Sequence, residues 1–409
     1  MFFLNQANCI EVFAFISTIY LKLIGRPPGM EETMIPVIDM HCDSFSKMKE
    51  ETDAGKGFVI RENAKHIDLV RMKEAGYMCQ NFALFTFLGH WMGGQGPYAD
   101  MNLMEFVTAL SDLFDEQIGQ NSDIIRPVRT GTEIEKNFAE GYMSALKTIE
   151  EGAVYEGALW RKEGVSTSEL TDECIKNLKI MYDKGVRMST LTWNFENALA
   201  YPNFIKWETP DGAVHDSLHE PIPFITHTKF TKLWNEANTA AGLKETGVEF
   251  ARACEELGVI MDVSHLGDKG IWDLFDVTKK DTPIMASHSN ARAVTGHPRN
   301  LTDEMLKAIA DRGGVCGINF SSDFLNDRHD NMSTIADMVA HIKYIRDKAG
   351  IGIIGLGTDF DGIDNAIEFG GCHGMQQLAD ALFKEGFSSD EVEAIFYKNV
   401  LNLYKRVIG

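Results

Sequence analysis

The strongest constraint on this chain's fold is an alternation that runs through almost its whole length. Short apolar runs rich in β-branched residues are followed by longer amphipathic stretches, the pattern of βα units around a parallel sheet. Eight such runs occur, at residues 35–40, 78–85, 144–149, 186–191, 259–263, 283–286, 315–320 and 352–357. Apolar residues recur at helical spacing between them, predicting helices at 103–118, 169–184, 244–257, 304–312 and 334–348. Eight strands with helical connections favour a closed ring over an open sheet, so the expected fold class is α/β, a (β/α)8 TIM-type barrel. Two connections, 89–136 and 194–242, exceed what a crossover needs and are expected as loop insertions at the C-terminal face. The second carries Trp207, Pro210-Asp-Gly212, His215, His219, Pro221, Pro223 and His227, a turn-rich excursion over the barrel mouth.

With 409 residues, 44% of them hydrophobic, the chain has material for one large core, and single barrels of this size are common. Residues 1–33 read as an appendage, because 9–24 is apolar but interrupted by Glu11 and Lys22 and ends at a Gly-Arg-Pro-Pro-Gly turn. They make a poor signal peptide and too short a membrane span. Residues 34–409 form the barrel. The net charge of -21 argues against nucleic acid and against anionic membrane surfaces, which need clustered Lys and Arg. Seven scattered cysteines without a CxxC pair signal neither a disulfide framework nor a thiolate zinc site, and a reducing, cytoplasmic setting is expected.

Chemistry-bearing residues cluster where each strand ends. Strand one ends in His41-Cys42-Asp43, strand three in Glu151-Gly152, strand five in Ser264-His265, strand six in Ser287-His288 and strand eight in Thr358-Asp359. In a barrel these ends converge on one axial pocket. His41 and Asp43 are two apart, so on extended backbone both face the same way and can grip one ion. His265 and His288 add imidazoles, and Glu151 adds a carboxylate able to bridge two cations. Nitrogen and oxygen donors without thiolate suit zinc, with manganese or cobalt as substitutes. Each residue also has a local role open to it: Asp43 as a helix cap, the histidines as hydrogen-bonded core residues, Glu151 as a solvated acid beside Glu150, Asp262 as a group orienting a ligand. Five such residues at converging ends favour the metal site. Asp359 leaves its strand directly and is the candidate general base, while Asp361 is expected to stabilise the Asp-Gly turn. Paired cations there would lower the pKa of a bridging water toward neutrality.

These residues resemble the renal, or membrane, dipeptidases and their bacterial relatives, from about residue 35 to 403. The likeness rests on Ile38-Asp-Met-His-Cys-Asp43, Glu151-Gly152, Gly185-Val-Arg187 with Thr190-Leu-Thr192, Asp262-Val-Ser-His265, Ser287-His-Ser289, Pro298-Arg-Asn300 and Gly357-Thr-Asp-Phe-Asp-Gly362, in the family's order. It implies a dinuclear zinc dipeptidase in which His41 and Asp43 hold one zinc, His265 and His288 the other, and Glu151 bridges both. It further implies a metal-bridging hydroxide as nucleophile, Asp359 as acid/base and Arg299 meeting the substrate carboxylate, a role suited to a planar guanidinium. The chain departs from the family at Trp193, where many members carry a histidine that holds the substrate. An indole cannot titrate or accept a hydrogen bond, so Trp193 is expected as an apolar pocket wall, bearing on rate and stereochemical tolerance. Arg187 is expected to be structural. The rival readings are a related amidohydrolase acting on an N-acyl amino acid, a cyclic amide or a lactone, and a catalytically silent binding barrel. The expected partner is a dipeptide; stable membrane insertion is not expected, and a homodimer stays open.

Overall fold

The computed structural model describes residues 34–86, 101–160, 162–203, 206–208, 214–216, 232–233 and 236–409. Residues 1–33, and with them the expected appendage, lie outside the described residues.

Eight parallel strands close on themselves: β1 (Val37–Asp39), β2 (Tyr77–Phe85), β3 (Met143–Glu150), β4 (Val186–Thr190), β5 (Ile260–Asp262), β6 (Met285–Ala286), β7 (Val315–Ile318) and β8 (Ile354–Leu356). Each pairs with its sequence neighbours, and the ring shuts where Asp39 of β1 stands opposite Leu356 of β8. All eight expected strands are present, and the TIM-type barrel is the fold. Because side chains alternate along a strand, the ring sorts its apolar residues into two sets. Ile38, Cys79, Leu146, Met188, Ile260, Met285 and Val315 pack together with Val400, Leu401, Leu403 and Tyr404 of the C-terminal helix Asn399–Val407, which closes the barrel from below. Tyr404 Oη reaches Asn81 inside the ring, at 2.7 and 3.0 Å from its amide atoms. Their strand neighbours, among them Val37, Ala145, Ile149, Cys316 and Ile354, pack outward against the surrounding helices.

Five helices match the expected ones within about two residues, at Leu103–Gln120, Thr167–Asp183, Glu245–Leu257, Asp303–Asp311 and Ile335–Ala349. Two of them start at capping boxes, Asn102 with Glu105 and Thr334 with Asp337, where side chain and backbone satisfy each other's donors. Such caps stabilise a helix start by about 1 kcal/mol. The first long connection contains two elements that the apolar pattern does not announce: the strand Ile125–Pro127, which pairs with the start of β3, and the helix Gly131–Ala139. The second long connection carries a small antiparallel sheet of Lys206–Glu208, Val214–Asp216 and Lys232–Leu233. Its Pro210-Asp-Gly212 turn, His219, Pro221, Pro223 and His227 lie outside the described residues. Arg187 is structural, donating to the backbone oxygens of Arg129, Tyr182 and Val186. No helix among the described residues is long and apolar enough to cross a membrane.

Candidate metal centre

The strand ends deliver their polar residues to one buried point. His41 Nε2 stands 3.3 Å from Asp43 Oδ2 and 3.5 Å from Glu150 Oε2. The other oxygen of Glu150 lies 3.0 Å from His265 Nε2 and 3.4 Å from His288 Nε2, and those two nitrogens are 3.1 Å apart. Asp359 completes a group with His41 and Asp43 whose ligand atoms all fall within 4.8 Å of one another. The carboxylate at the centre is therefore Glu150, and the expectation for Glu151 is corrected. Strand parity is the reason: Leu146 faces the barrel interior and Glu150 follows it by four, whereas Glu151 lies just past the strand with φ at 101°. Its carboxylate turns away from the axis and accepts hydrogen bonds from Ala153 N, Asn197 Nδ2 and Trp193 N.

The donor set fits divalent cations. Ligands about 2.1 Å from a tetrahedral zinc stand about 3.4 Å from one another, close to the separations here. His41 Nε2 and Asp43 Oδ1 are buried without a hydrogen-bond partner, an arrangement that costs free energy unless something takes them. Asp43 occupies the N-cap position of the helix Ser44–Asp53, yet its side chain makes no capping bond, so that local role does not claim it. Gly362 leaves the space the carboxylates need, since a Cβ there would lie 2.5 Å from Asp359 Oδ1 and closer still to Asp43.

The imidazoles are held from behind. His288 Nδ1 lies 2.6 Å from Ser287 Oγ, which in turn donates to Asp262 Oδ2, while Asp262 Oδ1 accepts from Ser264 N and Ser287 N at 2.9 Å. His265 Nδ1 lies 2.7 Å from Asn194 Oδ1. Asp39 plays the corresponding part on the opposite side, accepting from Thr358 N, Thr358 Oγ1 and His41 N. Asp361 accepts from Ser44 Oγ at 2.6 Å and His66 N at 2.9 Å, so it fastens two neighbouring loops rather than only its own turn. Four residues here, Glu151, His265, Asp359 and Asp361, have positive φ, the concentration of backbone strain expected at a functional site.

Burial and mutual charge set the protonation. Burial pushes His265 down to about 3 and His288 well below its ordinary value, leaving both as neutral imidazoles with a free electron pair. Burial also opposes a charge on His41, but the anions Glu150 and Asp43 outweigh it and raise that group. Glu150 is held well below the usual carboxylate range, because the neighbouring His41, His265 and His288 imidazoles overcome its burial. Asp359 is pushed up to about 7 by burial, with Asn319 Nδ2 donating to it at 2.9 Å.

The pocket above this centre has a volume of about 570 Å³ and is lined by Phe85, Phe106, Trp193, Arg299 and Phe324 among others. Trp193 packs against Phe85, Phe195 and His265, with ring centroids 5.1, 5.5 and 6.0 Å away, so it stands as a wall of the pocket. Arg299 is buried, with Nη2 at 3.0 Å from His265 Nε2 and Nε without a partner. Asp39, Glu150, Asn194 and Asn319 carry parts of this arrangement that the sequence reading did not assign.

An eight-stranded barrel with imidazoles and carboxylates converging at its mouth is an arrangement suited to holding metal ions. The chain belongs to the membrane dipeptidase family, Peptidase family M19, whose model matches residues 31–206 and 224–408. It is 36% identical over 172 residues, 42% of this chain and 63% of the relative, to an uncharacterized protein in the pqqA 5' region of Klebsiella pneumoniae. It is 25% identical to the dipeptidase ataJ of Aspergillus terreus over 72% of this chain and 65% of that protein. These two alignments span somewhat under two thirds of each relative's length. A metallo peptidase from Rhodobacter sphaeroides, solved with a phosphinate mimic of the dipeptide L-Ala-D-Ala, shares the fold with a TM-score of 0.71 at 22% identity, covering 92% of this chain and all of that one.

Proposed function

We propose that the protein is a dinuclear zinc dipeptidase in which Glu150 is the bridging carboxylate. The observation that carries this is the division of labour at Glu150, one oxygen facing His41 beside Asp43 and the other facing the His265–His288 pair. Paired zinc ions, which His41, Asp43, Glu150, His265 and His288 would hold, would supply Lewis-acid polarisation of the scissile carbonyl and an acidified water as nucleophile. Manganese or cobalt would suit the same donors. Asp359, half-buried beside His41 and Asp43 and held by Asn319, stands where it can take a proton and return it to the departing amine. Arg299, with an unpartnered buried Nε, offers its guanidinium to the substrate's terminal carboxylate and fixes which end of the dipeptide lies beside His265. Trp193 closes the pocket on that side and excludes water from it. Six cysteines among the described residues are buried and free, an arrangement that suits the expected reducing, cytoplasmic setting.

The test is hydrolysis of a panel of L-L and L-D dipeptides by the purified protein, before and after chelation, beside an N-acyl amino acid, a cyclic amide and a lactone. The L-D members follow the mimic seen in the Rhodobacter structure. Chelator-sensitive cleavage of dipeptides is the expected result. Cleavage confined to the other substrates would move the activity to a different amide or ester.

A further inference from the structure

Glu151 has the composition of a ligand and the position of something else. It is fully buried, its backbone is strained, and both carboxylate oxygens point away from the barrel axis into the loop that follows β4. Oε1 accepts from Ala153 N and Asn197 Nδ2, both at 2.8 Å, and Oε2 accepts from Trp193 N at 3.2 Å. Asn197 extends the clamp, donating to Leu191 O and accepting from Leu199 N and Ala200 N. Residues 191–200 are thereby tied to the end of β3 through one side chain.

The residue held in the middle of that loop is Asn194, whose Oδ1 lies 2.7 Å from His265 Nδ1. An amide oxygen only accepts, so Nδ1 carries the proton and Nε2 presents its electron pair to the point shared with Glu150 and His288. The strand cannot do this for His265. β5 ends at Asp262, and His265 sits in a turn at φ 69°, where the backbone imposes no fixed ring direction. His288 differs, since its Nδ1 is backed by Ser287 and the carboxylate of Asp262, independently of the β4 loop.

We infer that Asn194 and Glu151 are positioning residues for the His265 side of the metal centre, Asn194 orienting the imidazole and Glu151 holding Asn194. This rests on the dinuclear reading proposed above. Replacing Asn194 should weaken one cation and spare the one held by His41 and Asp43.

The experiment is calorimetric titration of zinc chloride into the chelated full-length protein, for wild type, Asn194→Ala, Asn194→Asp and Glu151→Gln, with kinetics on the best dipeptide alongside. Wild type should take up two equivalents. In Asn194→Ala one equivalent should bind within about threefold of wild type and the other about 10- to 100-fold more weakly, the range typical for losing a group behind a ligand. Asn194→Asp, which restores an acceptor, should recover most of that loss, and Glu151→Gln should show the same selective weakening. Lost zinc affinity should appear as lower kcat at limiting zinc that excess zinc restores, with KM unchanged. Two equivalents bound normally by Asn194→Ala, or both weakened equally, would overturn the inference while leaving the metal centre standing. A wild-type protein that takes up no zinc would overturn the proposed function itself, and this inference with it.

Discussion

Gly362 offers a sharp test of how closely the carboxylates converge. Its backbone runs against Asp43 and Asp359, and a Cβ added by Gly362→Ala would sit 2.5 Å from Asp359 Oδ1, with Asp43 Oδ2 closer still. Carbon and oxygen meet at about 3.3 Å at the nearest, so Asp359 must retreat by roughly 0.8 Å and Asp43 by more. Metal–ligand distances tolerate only about 0.2 Å. Without cations the two side chains can turn aside, so the variant should melt cooperatively in EDTA much as wild type does. With zinc it should lose about 100-fold in affinity for the ion beside His41, and a comparable factor in kcat/KM, as expected for a misplacement near 1 Å. The assay is zinc calorimetry with a parallel melt in EDTA. Wild-type affinity for both equivalents in Gly362→Ala would show that Asp43 and Asp359 do not close on a cation at this point, and would refute the geometry.

Other outcomes follow from the same structure. Arg299→Ala should raise KM for dipeptides about 10- to 100-fold with little change in zinc content, since charge-assisted bonds to the substrate carboxylate are worth about 1.5–3 kcal/mol; a dipeptide amide should lose nothing further in the variant, which steady-state kinetics on the pair would check. His341 is buried beneath the Arg299 loop, its Nδ1 accepting from Ala291 N at 3.1 Å, and burial pushes it down to about 4 from 6.5. The unfolded chain therefore binds a proton between pH 6.5 and 4 that the folded chain does not, so this group's stabilisation is complete above pH 6.5 and lost as pH falls toward 4. The loss amounts to about 3 kcal/mol. Urea unfolding of the chelated protein should show a steeper fall across that window in wild type than in His341→Asn, and identical slopes would contradict the assignment.

Much of this was legible in the sequence because the barrel converts strand ends into a site. His41, Asp43, His265, His288 and Asp359 could be named once the eight runs were recognised, since closure brings those ends together whatever their separation along the chain, whereas Arg299 came only from the family resemblance. Glu150 was missed because the neighbouring Glu-Gly pair drew attention one residue too far. The alternation in β3 carried the needed signal, with Leu146 and Glu150 on the interior face and Ala145 and Ile149 outside it. Asn194 and Asn319 could not be read, because an amide behind a ligand has no spacing signature and depends on where two loops meet. Asp39 stood in view within Ile38-Asp-Met-His41, but its partner, Thr358, lies 319 residues away. The small sheet beyond β4 was hidden for another reason: strands of two or three residues are too short to show a period.

The most direct test of Glu150 as the shared carboxylate is to follow bound zinc and dipeptide hydrolysis together while the chelated protein is reconstituted, in wild type and in Glu150→Gln. The account predicts that wild-type activity rises with occupancy to two zinc per chain, and that Glu150→Gln binds neither ion tightly and stays inactive. A Glu150→Gln protein that holds two zinc and cleaves dipeptides at the wild-type rate would contradict it.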